Sequence, residues 1–75
     1  PRQFRLLHHF LLHPNTVCSR ADLVGAAGRE GAPVADRTVD KWVARLRTAL
    51  GEVGAGNLLR TVHFEGYVLD LEDPQ

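Results

Sequence analysis

Cys18 is the only cysteine in this chain of 75 residues. One cysteine excludes an internal disulfide framework and cannot by itself build a zinc cage. A reducing, cytoplasmic setting is therefore the simplest one to expect. No apolar run approaches the ~20 residues that span a bilayer, and the opening Pro1-Arg2-Gln3-Phe4 runs straight into amphipathic sequence rather than a leader. No membrane partner is expected. Net charge is also lacking, with nine basic residues against nine acidic ones. Taken alone, that argues against a nucleic-acid partner. Neither an internal repeat nor a low-complexity segment is visible. No nucleophile–base pair, glycine-rich phosphate loop or paired carboxylates stand out, so neither an enzyme activity nor a cofactor is expected. The length bounds the chain to one small domain, residues 1–75, of a size that buries only roughly 60% of its unfolded surface.

What is present is charge that has been sorted along the chain. Residues 37–50 hold Arg37, Lys41, Arg45 and Arg47 against Asp40, a net of plus three. Residues 65–73 hold Glu65, Asp70, Glu72 and Asp73 with no base, a net of minus four. Segregated charge steers an anion to one surface even when the total is zero.

The apolar pattern divides the chain into elements. Phe4, Leu7 and Leu11, with Leu6 and Phe10 beside them, predict a helix over about residues 3–13, stopped by Pro14. Its wide apolar arc calls for neighbours on more than one side. Asn15 follows as a turn residue, and Thr16-Val17-Cys18 reads as a short extended piece. Ser19 with Asp22 three residues on approximates a capping box for a second helix, with Ala21, Leu23, Val24 and Ala27 on its inner side and Gly28 near its end. Gly28 to Asp36 is a loop by composition. In the third helix, about residues 36–50, Val39, Val43, Leu46 and Leu50 form a buried stripe. Arg37, Lys41 and Thr48 gather on the opposite side, flanked by Arg45 and Arg47. Residues 58–71 read as a β-hairpin, with Glu65 at its tip and Gly66 supplying the permissive turn geometry.

Three short helices followed by a two-stranded ribbon is an α+β, mainly helical order: a winged helix-turn-helix with a C-terminal wing. In such proteins the second helix of the motif enters the major groove. Cations on its outer face meet phosphates and guanine edges, while the ribbon reaches toward an adjacent minor groove. The sequence resembles the OmpR/PhoB-type DNA-binding domain of bacterial response regulators. The recognition helix of that family typically opens Arg-Thr-Val-Asp and continues to Leu-Arg; here Arg37-Thr38-Val39-Asp40 leads to Leu46-Arg47. The family's wing reads Arg-Thr-Val-x-Gly-x-Gly-Tyr; here it is Arg60-Thr61-Val62-His63-Phe64-Glu65-Gly66-Tyr67. "FRLL", "HP" and "SRADL" match its first two helices.

Residue by residue, the resemblance implies DNA-facing roles for Arg37, Lys41, Trp42, Arg45 and Arg47 on the helix and for Thr61 and His63 on the wing. It implies promoter half-sites as the ligand, a tandem dimer on DNA, and a fused upstream receiver or other regulatory domain. The chain would then be the C-terminal part of a longer protein. The loop Gly28–Asp36 corresponds to a segment that meets RNA polymerase in some activators. Three departures stand out. The family's N-terminal four-stranded sheet is absent, Trp42 replaces a frequent His, and the wing tip is Phe64-Glu65-Gly66 with His63 where Arg is common. An acid at the tip would repel phosphate.

Blander alternatives accompany these readings. Trp42 borders the buried stripe and suits packing as well as stacking on DNA. Arg47 lies toward Asp40, where an intramolecular salt bridge is its other use. Cys18 reads as a small buried hydrophobe. His9 and His13 have metal-ligand spacing but no evident third ligand, so surface histidines and no metal site are expected. The alternative function is a winged helix used for protein contact, with weak or no DNA binding.

Overall fold

The computed structural model describes residues 1–29, 31 and 33–71. Glu72 and Asp73 of the acidic segment, and Glu30 and Ala32 of the Gly28–Asp36 loop, lie outside the described residues. The chain runs α1 (Arg2–Leu12), α2 (Arg20–Ala27), α3 (Asp36–Gly51), a 3₁₀ turn (Gly56–Leu58), β1 (Leu59–Val62) and β2 (Gly66–Leu69).

α1 packs through Leu6 and Phe10, both fully buried. These are one helical turn apart, so they share a face. The Phe4–Leu7–Leu11 stripe expected from the sequence lies to the side of it: Phe4 and Leu11 are 68% and 51% exposed, and Leu7 is half-buried. Two adjacent apolar faces compete in this helix, and the one that meets Leu23, Val43 and Leu46 forms the core.

α2 begins with a complete capping box. The Asp22 N–H donates to Ser19 Oγ at 3.0 Å, and the Ser19 N–H donates to Asp22 Oδ2 at 2.9 Å. These bonds satisfy amides that a helix start leaves without intrahelical partners, and they hold the Asp22 carboxyl below its ordinary range. Leu23 and Ala27 face the core, whereas Ala21 is exposed, contrary to the inner position expected for it. The last turn of α2 has no basic residue of its own. Instead, Arg2 Nε and Arg5 Nη2 of α1 both donate to the Ala27 carbonyl, each at 3.2 Å. Cations at a helix C-terminus satisfy open carbonyls and oppose the helix dipole.

α3 buries Val39, Trp42, Val43 and Leu46, with Leu50 half-buried. β1 and β2 pair antiparallel, with Leu59 opposite Leu69, Thr61 opposite Tyr67 and Val62 opposite Gly66. The extended piece ending at Cys18 adds a bridge to β2. The Cys18 N–H donates to the Tyr67 carbonyl at 2.7 Å, and the Tyr67 N–H returns to the Cys18 carbonyl at 3.0 Å. Asn15, at φ 59°, turns the chain into this bridge, a conformation that Asn tolerates better than most residues. No helix among the described residues is long and apolar enough to cross a membrane.

Candidate nucleic-acid interface

The outer side of α3 is cationic because its inner side is spent on packing. Arg37, Lys41, Ala44, Arg45 and Thr48 are exposed, and the Thr48 hydroxyl donates to the Ala44 carbonyl at 3.0 Å. Among the described residues, Arg37, Lys41 and Arg45 form no ion pair or side-chain hydrogen bond.

Two other polar residues of α3 anchor the helix. Asp40 accepts from Arg20 Nε at 2.9 Å and from Arg20 Nη2 at 3.3 Å, and it also accepts the Tyr67 hydroxyl. The Arg20 and Tyr67 hydrogen bonds hold the Asp40 carboxyl below its usual range. The same pairing raises Arg20, while burial first and the Asp40 bond second raise Tyr67. One carboxylate thus joins α2, α3 and β2. Asp40 is therefore occupied, and Arg47 does not pair with it. Arg47 Nε instead donates to the Leu59 carbonyl at 2.9 Å, and its Nη2 donates to Thr61 Oγ1 at 3.2 Å. This guanidinium is a second tie between α3 and the wing, beside the Asp40–Tyr67 bond.

Trp42 lies on the buried side of α3. Only 5% of it is exposed, and the Arg2 guanidinium lies 4.5 Å above its ring centroid. It sits three residues after Val39 and one before Val43, so helical geometry turns it to the core. A cation–π contact then closes its outer face. Thr61 and His63 are exposed on the wing. The turn is His63-Phe64-Glu65, closed by the Glu65 N–H to the Val62 carbonyl at 3.0 Å. Phe64 occupies its left-handed position at φ 66°, and its ring stands 4.0 Å from that of His63.

Gly66 follows the turn as the first residue of β2, in the glycine-favouring backbone conformation expected of it. It lies at φ 145°, and a Cβ there would meet the Cys18 carbonyl oxygen at 2.0 Å. It is a close-approach glycine at the bridge to Cys18. Cys18 itself is 2% exposed, and its Sγ donates weakly to the Thr16 carbonyl at 3.7 Å. Burial first, then the charge of Asp22, pushes its thiol up. The His9 and His13 rings are 4.7 Å apart. Among the described residues no group of three or more His, Cys, Asp or Glu could hold a metal ion.

Arg20 and Tyr67 as anchors, and Phe64 as the most exposed large apolar side chain among the described residues, are absent from the sequence expectations. A signal for the first was available: an acid among cations, on the flank of a helix, needs a basic partner from another element.

Three helices and a two-stranded ribbon tied to the third helix define a winged-helix protein. The chain belongs to the family described as transcriptional regulatory protein, C terminal, whose model matches residues 1–69. It is 42% identical over 67 residues to the phosphate regulon transcriptional regulatory protein PhoB of Escherichia coli, covering 89% of this chain and 29% of that protein. It is 43% identical over 68 residues to the transcriptional regulatory protein GltR of Pseudomonas aeruginosa, covering 88% and 28%. The chain thus spans under a third of the length of these relatives. Among solved structures it is similar to the DNA-binding domain of the response regulator AdeR in complex with an intercistronic region. That match has TM-score 0.83 and 29% identity, and covers 92% of this chain and 68% of the other. The DNA-binding domain of E. coli CadC matches with TM-score 0.83 and 27% identity, covering 96% and 68%.

Proposed function

We propose that this chain is the sequence-specific, double-stranded DNA-binding domain of a bacterial transcriptional regulator, a non-enzymatic effector acting in the cytoplasm. α3 enters the major groove and the wing points to the adjacent minor groove. One observation carries the reading. Of the eight cations outside the Gly28–Asp36 loop, Arg2, Arg5, Arg20, Arg47 and Arg60 are held by carbonyls, carboxylates or Thr61. The three left without a protein partner among the described residues are Arg37, Lys41 and Arg45, all on one exposed helix face. Arginine matches the guanine major-groove edge bidentately, and either cation neutralises phosphate.

In this reading Arg37, Lys41 and Arg45 touch DNA directly, and Thr61 and His63 approach from the wing. Arg47 fixes the angle between the two, and Trp42 is the platform beneath them. With so few free cations, one copy makes a handful of phosphate contacts, so useful affinity requires two copies on adjacent half-sites. A receiver or other regulatory domain precedes the chain in the whole protein, and the Gly28–Asp36 loop is left to meet RNA polymerase. Glu65 and the zero net charge favour a second reading, a protein-contact module.

The test is fluorescence anisotropy on a duplex selected from a random pool by the wild-type domain. Arg45→Ala is expected to lose about 1–3 kcal/mol, the value of a base-edge contact. Arg60→Ala, which removes a cation held by Asp70 at 3.0 Å, should change affinity far less. Equal losses would mean that only diffuse charge matters, and failure to select any duplex would favour the protein-contact module.

A further inference from the structure

We propose that Phe64 is a minor-groove wedge: an aromatic side chain at the wing tip that seats between base steps of the duplex held by α3, with the His63 ring tilted against it. The proposal rests on the DNA-binding reading above and assigns to the wing a contact that differs in kind from a cationic one.

Phe64 is 93% exposed, the most exposed large apolar side chain among the described residues. Its neighbour in the fold is the His63 ring at 4.0 Å. Its backbone sits at φ 66°, a conformation that favours glycine and is an outlier for a bulky residue. The phenyl group therefore opposes the turn it occupies and adds nothing to the core. Apart from the His63 ring, its apolar surface faces solvent.

The position of the tip selects the partner. Arg47 grips the Leu59 carbonyl and the Thr61 hydroxyl, which sets that edge of β1 beside the C-terminal half of α3. β1 ends at Val62, and His63 opens the turn that carries Phe64 at its centre. Arg47, Thr61, His63 and Phe64 thus run outward from the recognition helix to the tip. A duplex lying along Arg37, Lys41 and Arg45 meets that line where its minor groove comes round. Minor-groove proteins insert phenylalanine and other apolar residues between base steps and kink the duplex. Such a contact needs no positive charge, and a tip carrying Glu65 has none fixed to offer.

The experiment uses the selected duplex with a fluorescent adenine analogue placed in turn at each step flanking the α3 site, and a donor–acceptor pair on its ends. Wild type should brighten the analogue at one step, by unstacking it, and bring the ends closer. Phe64→Ala and Phe64→Gly should lose about tenfold in affinity, within the range for removal of a base-stacking aromatic, and should abolish both signals. Phe64→Trp should retain them. Glycine suits φ 66°, so Phe64→Gly remains folded, which circular dichroism checks. Wild-type affinity and undiminished signals in Phe64→Gly would overturn the wedge while leaving the DNA-binding reading intact. Unchanged DNA binding together with altered self-association in sedimentation would overturn it in favour of a protein contact. No binding of any duplex by wild type would overturn both readings.

Discussion

Replacing Gly66 with alanine should damage this domain more than its single methyl suggests. The new Cβ would sit 2.0 Å from the Cys18 carbonyl oxygen, 2.9 Å from its carbon and 3.0 Å from Ser19 Cα. All three are backbone atoms, so no side-chain rotation relieves the clash. β2 must retreat, and the two Cys18–Tyr67 hydrogen bonds, at 2.7 and 3.0 Å, go with it. Each is worth about 0.5–1.5 kcal/mol net. Holding a non-glycine residue at φ 145° adds about 1–3 kcal/mol. The sum is about 2–6 kcal/mol, against a total stability of about 4–11 kcal/mol for a chain of this length. Urea denaturation followed by circular dichroism measures the loss. Gly25→Ala is the control, since nothing lies within 4 Å of its added methyl. In the middle of a helix that exchange should gain about 0.5–1 kcal/mol. A loss below about 1 kcal/mol for Gly66→Ala, with the Cys18 and Tyr67 amides still protected from hydrogen exchange, would refute the close-approach account.

Two further outcomes follow from the anchoring groups. Asp40 titrates below its ordinary range in the folded protein because of Arg20 and Tyr67. Its stabilisation is therefore complete above the unfolded aspartate value of about 3.9 and is lost as pH falls through the lower folded value. Asp40→Asn should flatten that acid limb and cost about 1 kcal/mol at neutral pH, modest because the Asp40 side chain is 40% exposed; an unchanged acid limb in urea titrations would count against it. Cys18, buried and with its thiol raised first by desolvation and then by Asp22, should react with thiol reagents at neutral pH only as fast as the domain opens. Rapid labelling with native circular dichroism intact would contradict the burial.

The fold was legible because its punctuation is local. Pro14, the Ser19–Asp22 capping box and the cluster of glycines after α3 each act within a few residues, and the order of three helices and a ribbon follows from them. The choice between competing faces was less legible. In α1 the Leu6–Phe10 pair and the Phe4–Leu7–Leu11 stripe are equally apolar, and only the position of α2 and α3 decides which is buried. The place of Gly66 beside Glu65 marks it as a glycine of permissive backbone, and its φ of 145° agrees. A second constraint comes from Cys18, 48 positions earlier, which no local pattern encodes.

The site divides along the same line. A sequence displays every cation, but it does not display which of them the fold consumes. Arg47 and Arg45 are two positions apart on one helix, yet Arg47 is bound to β1 and Arg45 is not. The difference is the angle at which each leaves α3 and where the wing happens to lie. A chain of zero net charge presents a basic surface for the same reason. Asp40, the one acid between Arg37 and Leu50, is neutralised from behind by Arg20 and turned toward Tyr67. Its charge is thereby withdrawn from the face that carries Arg37, Lys41 and Arg45. Total charge counts residues, whereas a polyanion meets only the face that the folded helix leaves free.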